Sequence, residues 1–383
     1  MTATSTIQIS RSALEHNLAF IREIIGPKVK YSSVVKGNAY GHGVNHFVPL
    51  AEKCGVDHFS VFSCEEAVEV LDSASPDSTI MIMGFAEGDA LAWAIENGVE
   101  FYVFDIERLK NAVSLAKTLD TKAKVHLELE TGMNRTGLLN KNIDAYAKFI
   151  NKHNESLEIK GMCTHYAGAE NVANYYRIVK QKKKFDRMVE KFRKKDIRPE
   201  RNHTACSAAA LRYSKTHMDM VRIGILQYGF FPSPETMIEY LNKKKKKDYP
   251  LRRVVSWTSR IMHIKPVKAG EYVGYGTSFL ASDDMKIAIV PIGYSDGFSR
   301  ILSNQGRVLI HDQRVAVIGM VNMNMLAVDI SKIESVNKGD EVTLIGKQGD
   351  LEVSVASFSE YSRQINYEML VRLPRDIPRS VVD

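Results

Sequence analysis

The chain has 383 residues, is 44% hydrophobic and carries a formal net charge of +7. That length and apolar content exceed what one ordinary core needs, so two domains are expected, and no apolar run is long enough to span a bilayer. Its four cysteines, Cys54, Cys64, Cys163 and Cys206, show neither a CxxC pair nor metal-ligand spacing, which argues against a disulfide or metal framework and for reduced thiols. The N-terminal MTATSTIQIS lacks the basic head and apolar stretch of an export signal. A cytoplasmic protein with no membrane partner is therefore expected.

The first element in chain order is a helix. Ser12 and Glu15 have capping-box spacing, Leu14, Leu18, Ile21 and Ile25 form an apolar stripe, and Gly26-Pro27 ends it. Short β-rich runs follow near residues 29–35, 57–63, 79–84, 100–105, 124–130, 157–164, 200–205 and 220–226. Helical periodicity fills most of the intervals, as in 65–71 and 106–119. This α/β alternation predicts a (β/α)8 TIM barrel over residues 1–242. Within it, Lys182, Lys183, Lys184, Arg187, Lys191, Arg193, Lys194 and Lys195 crowd one stretch, with Phe185, Met188, Val189 and Phe192 at helical spacing. Such lysines form the solvated face of an amphipathic helix, and without an aromatic-interleaved basic surface no nucleic-acid partner is expected.

At the run Lys243–Lys247 the pattern changes. β-rich segments now follow one another across turns, at 254–264, 286–292, 307–318 and 342–345. Residues 243–383 are expected to form a mainly antiparallel β domain.

The segment Ser32-Ser33-Val34-Val35-Lys36-Gly37-Asn38-Ala39-Tyr40-Gly41-His42-Gly43 sets a lysine where the first barrel strand meets a glycine-rich loop. Barrel chemistry sits at that rim. Apolar neighbours strip water from the amine of Lys36, lower its pKa and make it a better nucleophile toward a carbonyl. A lysine snorkelling out of a strand end would look the same in isolation. A phosphate-bearing aldehyde would also need anion donors and a partner for a ring nitrogen. Ser207, opening a helix after strand seven, and the backbone N–H groups of Gly224 and Ile225 beside strand eight suit an anion. Arg222, in the apolar run 220–225, must meet a carboxylate or a ring nitrogen if it is buried.

Eight separated motifs occur in order: VVKGNAYGHG (34–43), ETGMNRTG (130–137), THYAGAE (164–170), HTACSAA (203–209), VRIGILQYG (221–229), YVGYGTSF (272–279), PIGYSDG (291–297) and VNMNM (321–325). Together they resemble bacterial alanine racemases from about Ile7 to Pro378. The resemblance implies a homodimer that uses pyridoxal 5′-phosphate, bound covalently at Lys36, to interconvert L- and D-alanine for peptidoglycan. Racemisation needs bases on opposite faces of the α-carbon, and by resemblance these are Lys36 and Tyr275, the latter from the partner subunit. A phenol ionises near pH 10 unless cationic or hydrogen-bonding neighbours assist it.

By the same resemblance His165 contacts that tyrosine, Arg222 faces the pyridine nitrogen and His203 supports Arg222. An arginine there cannot readily give up a proton, so the ring becomes a weaker electron sink. Arg135 is implied at the substrate carboxylate and the cofactor's phenolic oxygen. Glu128 stands where many relatives carry a carbamylated lysine, and is expected to supply the same negative charge to Arg135. Tyr40, Ser207, Gly224 and Ile225 are implied at the phosphate, while Asn322, Met323, Asn324 and Tyr294 lie in segments implied on the substrate side. Tyr228 is read as structural. The chain departs from the family pattern at Arg375, where many relatives have a tyrosine near the phosphate and entrance, and at Cys206, where asparagine is usual before Ser207. An arginine at 375 suits a phosphate. Alternatives are a racemase of serine, lysine or arginine, a decarboxylase of the same fold, whose cysteine-acid motif is missing from the β region, and, from another class, a non-catalytic cofactor carrier, which would lack the second domain.

Overall fold

The computed structural model describes residues 3–245, 248–356, 358 and 365–383. Lys246 and Lys247 of the lysine run, and Gln364, lie outside the described residues. The chain divides into two compact units. One comprises Leu14–Lys36 and Val48–Arg252, the other Met1–Ala13, Gly37–Phe47 and Arg253–Asp383.

The first unit is a closed barrel of parallel strands in the order β2 (Lys30–Val34), β3 (His58–Val61), β4 (Thr79–Ile82), β5 (Glu100–Val103), β6 (Ala123–Glu128), β7 (Leu157–Cys163), β8 (Arg201–Cys206) and β9 (Met220–Ile223), with β9 returning to β2. Helices Cys64–Leu71, Asp89–Glu96, Ile106–Thr118, Ile143–Lys152 and Tyr175–Arg193 alternate with them. Strands β3, β5 and β9 are buried at every residue, as parallel strands covered on both faces should be. The expected (β/α)8 fold is therefore present, and each anticipated β-rich run holds a barrel strand. Helix Tyr175–Arg193 buries Ile178, Gln181, Phe185, Met188 and Phe192. Its lysines pair outward, as in Lys182–Asp186 at 2.7 Å.

The second unit is built on a sheet ordered β11 (His263–Val267), β12 (Met285–Val290), β15 (Leu326–Asp329), β14 (Gln313–Ile318), β13 (Arg307–Ile310), β16 (Glu341–Gln348), β10 (Val255–Arg260), β1 (Ser5–Ser10) and β18 (Arg379–Val382). Pairing is antiparallel except for β1 with β18, and β17 (Leu351–Val353) adds to β16. The structure differs here from a barrel beginning at residue 1. Residues 5–10 alternate buried and half-buried, with Ile7 and Ile9 inward, the period of a one-sided sheet strand. Ile7 lies opposite Trp257, which is fully buried. The units also change over at Arg252–Arg253 rather than at 242.

Helix α1 (Arg11–Ile25) begins on a different cap from the expected Ser12. The Ser10 hydroxyl accepts from the Ala13 N–H at 3.1 Å, because the helix starts two residues earlier than a Ser12 cap would set it and Ser10 takes the cap position. Among the described residues no helix is long and apolar enough to cross a membrane, no cluster of His, Cys, Asp or Glu could hold a metal, and the four cysteines are free.

Candidate active site

Lys36 directly follows β2, at the C-terminal rim of the barrel. Its side chain reaches solvent, yet the amine is held below the ordinary lysine value, first by burial among rim residues and then by the Arg135 cation, with Glu66 opposing. A larger fraction of uncharged amine is available for attack or for taking a proton.

Arg222 occupies β9 and is buried. Its Nη1 donates to the Tyr102 hydroxyl at 3.0 Å, to His203 Nδ1 at 2.6 Å and to the His203 carbonyl at 3.2 Å. Nη2 donates to the carbonyls of Thr164 at 2.8 Å and Thr204 at 3.3 Å. Of the expected carboxylate or ring nitrogen, Arg222 meets an imidazole nitrogen and otherwise neutral acceptors, which suffice because each donor they meet is a strong cationic one. The Cys163 thiol is a further hydrogen-bond partner of the guanidinium.

His165 follows β7, and its pKa falls to about 3 through burial first and then the cations Arg222, Arg135 and Lys36. It is a neutral imidazole at any physiological pH. Glu128 ends β6 and is buried. Burial raises its carboxyl, while a hydrogen bond from Thr136 and the charges of Arg222 and Arg135 act the other way. Arg135 lies exposed in the loop after β6, and its influence on Glu128 is electrostatic, with no ion pair between them among the described residues. Glu130 shapes that loop by accepting from the N–H groups of Gly132 and Asn134.

Ser207 opens helix Ser207–Arg212, and its hydroxyl accepts from the Gly224 N–H at 3.1 Å. The anticipated anion donors Ser207, Gly224 and Ile225 are thereby neighbours, all buried. Cys206 sits at the cap position of the same helix, and burial raises its thiol pKa. The Tyr228 hydroxyl donates to the Val34 carbonyl at 3.0 Å.

The other candidates belong to the sheet unit. After Lys36 the chain makes a left-handed turn, with φ of 63°, 55°, 52° and 51° at Gly37, Asn38, Ala39 and Tyr40. Left-handed non-glycine residues cost roughly 1–2 kcal/mol each. The turn is held by Gly41 N–H on the Gly37 carbonyl at 3.0 Å and by Val44 N–H on Asn38 Oδ1 at 3.1 Å. It buries Tyr40 with its ring 5.9 Å from that of Tyr367.

Tyr275 stands at the tip of a short hairpin closed by Tyr272 opposite Leu280, and is 73% exposed. Tyr294 N–H donates to the Asn322 carbonyl at 3.0 Å, and Ser295 N–H to the Met323 carbonyl at 3.0 Å. Gly293 makes this approach possible, since a Cβ would collide with both carbonyls. Asn324 donates to the Ser295 hydroxyl at 2.8 Å. Tyr294 and Met323 are therefore exposed neighbours, with Asn322 half-buried beside them. Arg375 is exposed beyond helix Asn366–Val371, and its carbonyl accepts from Arg379 at 3.1 Å.

Sequence reasoning missed Tyr102, His126, Glu100 and His58, all buried in the barrel. The available signal was a polar residue in an otherwise buried strand, as in Val-His-Leu-Glu at 125–128.

The family model for the alanine racemase N-terminal domain matches residues 9–232, and that for its C-terminal domain matches residues 254–381. Alanine racemase 1 of Caldanaerobacter subterraneus subsp. tengcongensis is 33% identical over 375 residues, covering 97% of this chain and 93% of its own. The solved alanine racemase of Clostridium difficile 630 superposes with a TM-score of 0.90 at 30% identity, covering 100% of this chain and 96% of its own. The alanine racemase of Bartonella henselae, solved with covalently bound pyridoxal phosphate, gives a TM-score of 0.85 at 25% identity and covers 100% of both chains. With both domains matched along nearly its whole length, the chain belongs to the alanine racemase family and is an isomerase.

Proposed function

We propose that alanine racemisation by this chain runs on pyridoxal 5′-phosphate held at the barrel rim, with Lys36 and Tyr275 as the two bases. The observation that carries the reading is a rim lysine whose amine is held below its ordinary pKa in the same barrel as a buried arginine fixed through both Nη atoms. The residues present fit the cofactor: Lys36 for the aldehyde, Arg222 for the pyridine nitrogen, and Ser207, Gly224, Ile225, Tyr40 and Arg375 for the phosphate. When bound, pyridoxal 5′-phosphate supplies an aldehyde that joins to amines and a conjugated ring that spreads the charge left at Cα after proton loss.

Lys36 takes or returns the α-proton on one face, and Tyr275 does so on the other. A neutral His165 offers a lone pair to a neighbouring hydroxyl, and Arg222 supports the ring without surrendering a proton. Arg135, Tyr294, Asn322 and Met323 orient the substrate, with His203 behind Arg222. Tyr275 is supplied by the partner subunit of a homodimer, and the product D-alanine serves peptidoglycan. The four free cysteines suit a reducing, cytoplasmic setting.

The test is incubation of the purified protein with pyridoxal 5′-phosphate and L-alanine in deuterated water, followed by chiral chromatography and mass spectrometry, with serine, lysine and arginine alongside. D-Alanine carrying deuterium at the α-carbon is expected. If no amino acid acquires α-deuterium, the reading fails.

Glu128 is proposed to supply negative charge to Arg135. Glu128→Gln should lower kcat/KM about tenfold, or ~1.4 kcal/mol. Burial raises the Glu128 carboxyl pKa, so its charge is present above that raised value and lost as pH falls through it. The wild-type advantage over the Gln variant should shrink in that direction. Equal kcat/KM at neutral pH would remove Glu128 from this role.

A further inference from the structure

The barrel interior holds His126 and Glu100, both buried, with no part in the steps above. They join Arg222 through one unbroken file. His203 Nδ1 is 2.6 Å from Arg222 Nη1, His203 Nε2 is 2.8 Å from His126 Nδ1, and His126 Nε2 is 2.7 Å from Glu100 Oε2. A guanidinium has no lone pair to offer, so His203 Nδ1 accepts and the single ring proton of His203 lies on Nε2. His126 Nδ1 must then accept, which places its proton on Nε2, facing a carboxylate that only accepts. The two ends of the file dictate both tautomers, and every donor meets an acceptor. The reverse order would set a buried imidazole N–H against a guanidinium N–H.

The electrostatics agree with neutral rings between two charged ends. Burial and the Arg222 cation push His203 well below the ordinary histidine value, and burial lowers His126 despite the nearby Glu100. Burial alone would raise the Glu100 carboxyl, but the hydrogen bond from His126 and the His58 ring nitrogen 3.5 Å away overcome it and hold the group below the usual carboxylate range.

The backbone is shaped for the same contact. Gly161 lies on β7, between β6 bearing His126 and β8 bearing His203. A Cβ at Gly161 would collide with His126 Nδ1 and lie 3.0 Å from His203 Nε2. Its φ is outside the left-handed region, so the ring-to-ring approach is what calls for glycine.

We infer that Glu100 is a positioning residue for Arg222, acting through His126 and His203 across the gap left by Gly161 to hold the guanidinium in one orientation. The inference rests on the proposed role of Arg222 toward the cofactor ring. In the active enzyme, Glu100 fixes the orientation of Arg222 through its Nη1 contact with His203.

Nitrogen-15 spectra of histidine-labelled holoenzyme read the tautomers directly. His126 and His203 should be neutral and protonated at Nε2. Glu100→Gln, whose amide donates as well as accepts, should shift both ring signals and lower kcat about tenfold, with KM for alanine changed less than roughly twofold. A merely structural loss would reduce the folded fraction and leave kcat per bound cofactor unchanged. Gly161→Ala should separate the rings and give the same spectral change. An imidazolium or an Nδ1-protonated ring in the wild type, or wild-type kcat in Glu100→Gln, overturns the inference. The spectra decide it even if the protein racemises nothing, a result that would instead sink the proposed function.

Discussion

Lys36→Ala is expected to lower kcat for alanine racemisation by roughly 10³–10⁴-fold while leaving the protein folded. The side chain stands at the solvent-accessible rim of the barrel, so its removal opens no core cavity and should change stability by less than about 1 kcal/mol. What disappears is the amine, the group held below its ordinary pKa by burial and Arg135. Circular dichroism melts set beside steady-state rates separate the two effects. A variant that keeps wild-type kcat would show that another residue does the work assigned to Lys36, whereas one that fails to fold would assign the position to the core.

Tyr275→Phe is expected to reduce racemisation by roughly 10³-fold but to leave a directional remnant. The ring lies at an exposed hairpin tip, so phenylalanine keeps the backbone and loses only the hydroxyl. With one base gone, the other still removes and returns a proton on its own face. In deuterated water one alanine enantiomer should therefore exchange its α-proton with retained configuration, and the other should exchange far more slowly. Equal residual exchange from both enantiomers, or an unchanged racemisation rate, would contradict a two-base mechanism through Tyr275.

The barrel was legible because its strands are short, largely buried and set apart by helical periods, so local pattern and global position coincide. β1 was less so. Ile7 and Ile9 are too brief an alternation to register until Trp257 and Val255 lie beside them. The cap at Ser10 was misplaced by two residues because Ser12 and Glu15 mimic a capping box. In the site, Lys36, Arg222 and Tyr275 stood out through recognisable motifs, whereas Glu100 and His126 belong to no motif and show only as polar residues in apolar strands. They sit on neighbouring strands, 26 positions apart, and each alone reads as an isolated polar residue.

Sequence alone determined the α/β barrel followed by β structure, the family resemblance and the lysine on which the chemistry was placed, since periodicity and contiguous motifs are local properties of the chain. Tertiary structure decided that the N-terminal strand joins the sheet, that Arg222 is held by neutral acceptors, and that a carboxylate reaches it through two imidazoles. Those facts depend on closing the barrel. Only strand register brings side chains from β5, β6, β8 and β9 within hydrogen-bond distance, and only there does the absence of one Cβ at Gly161 acquire a consequence.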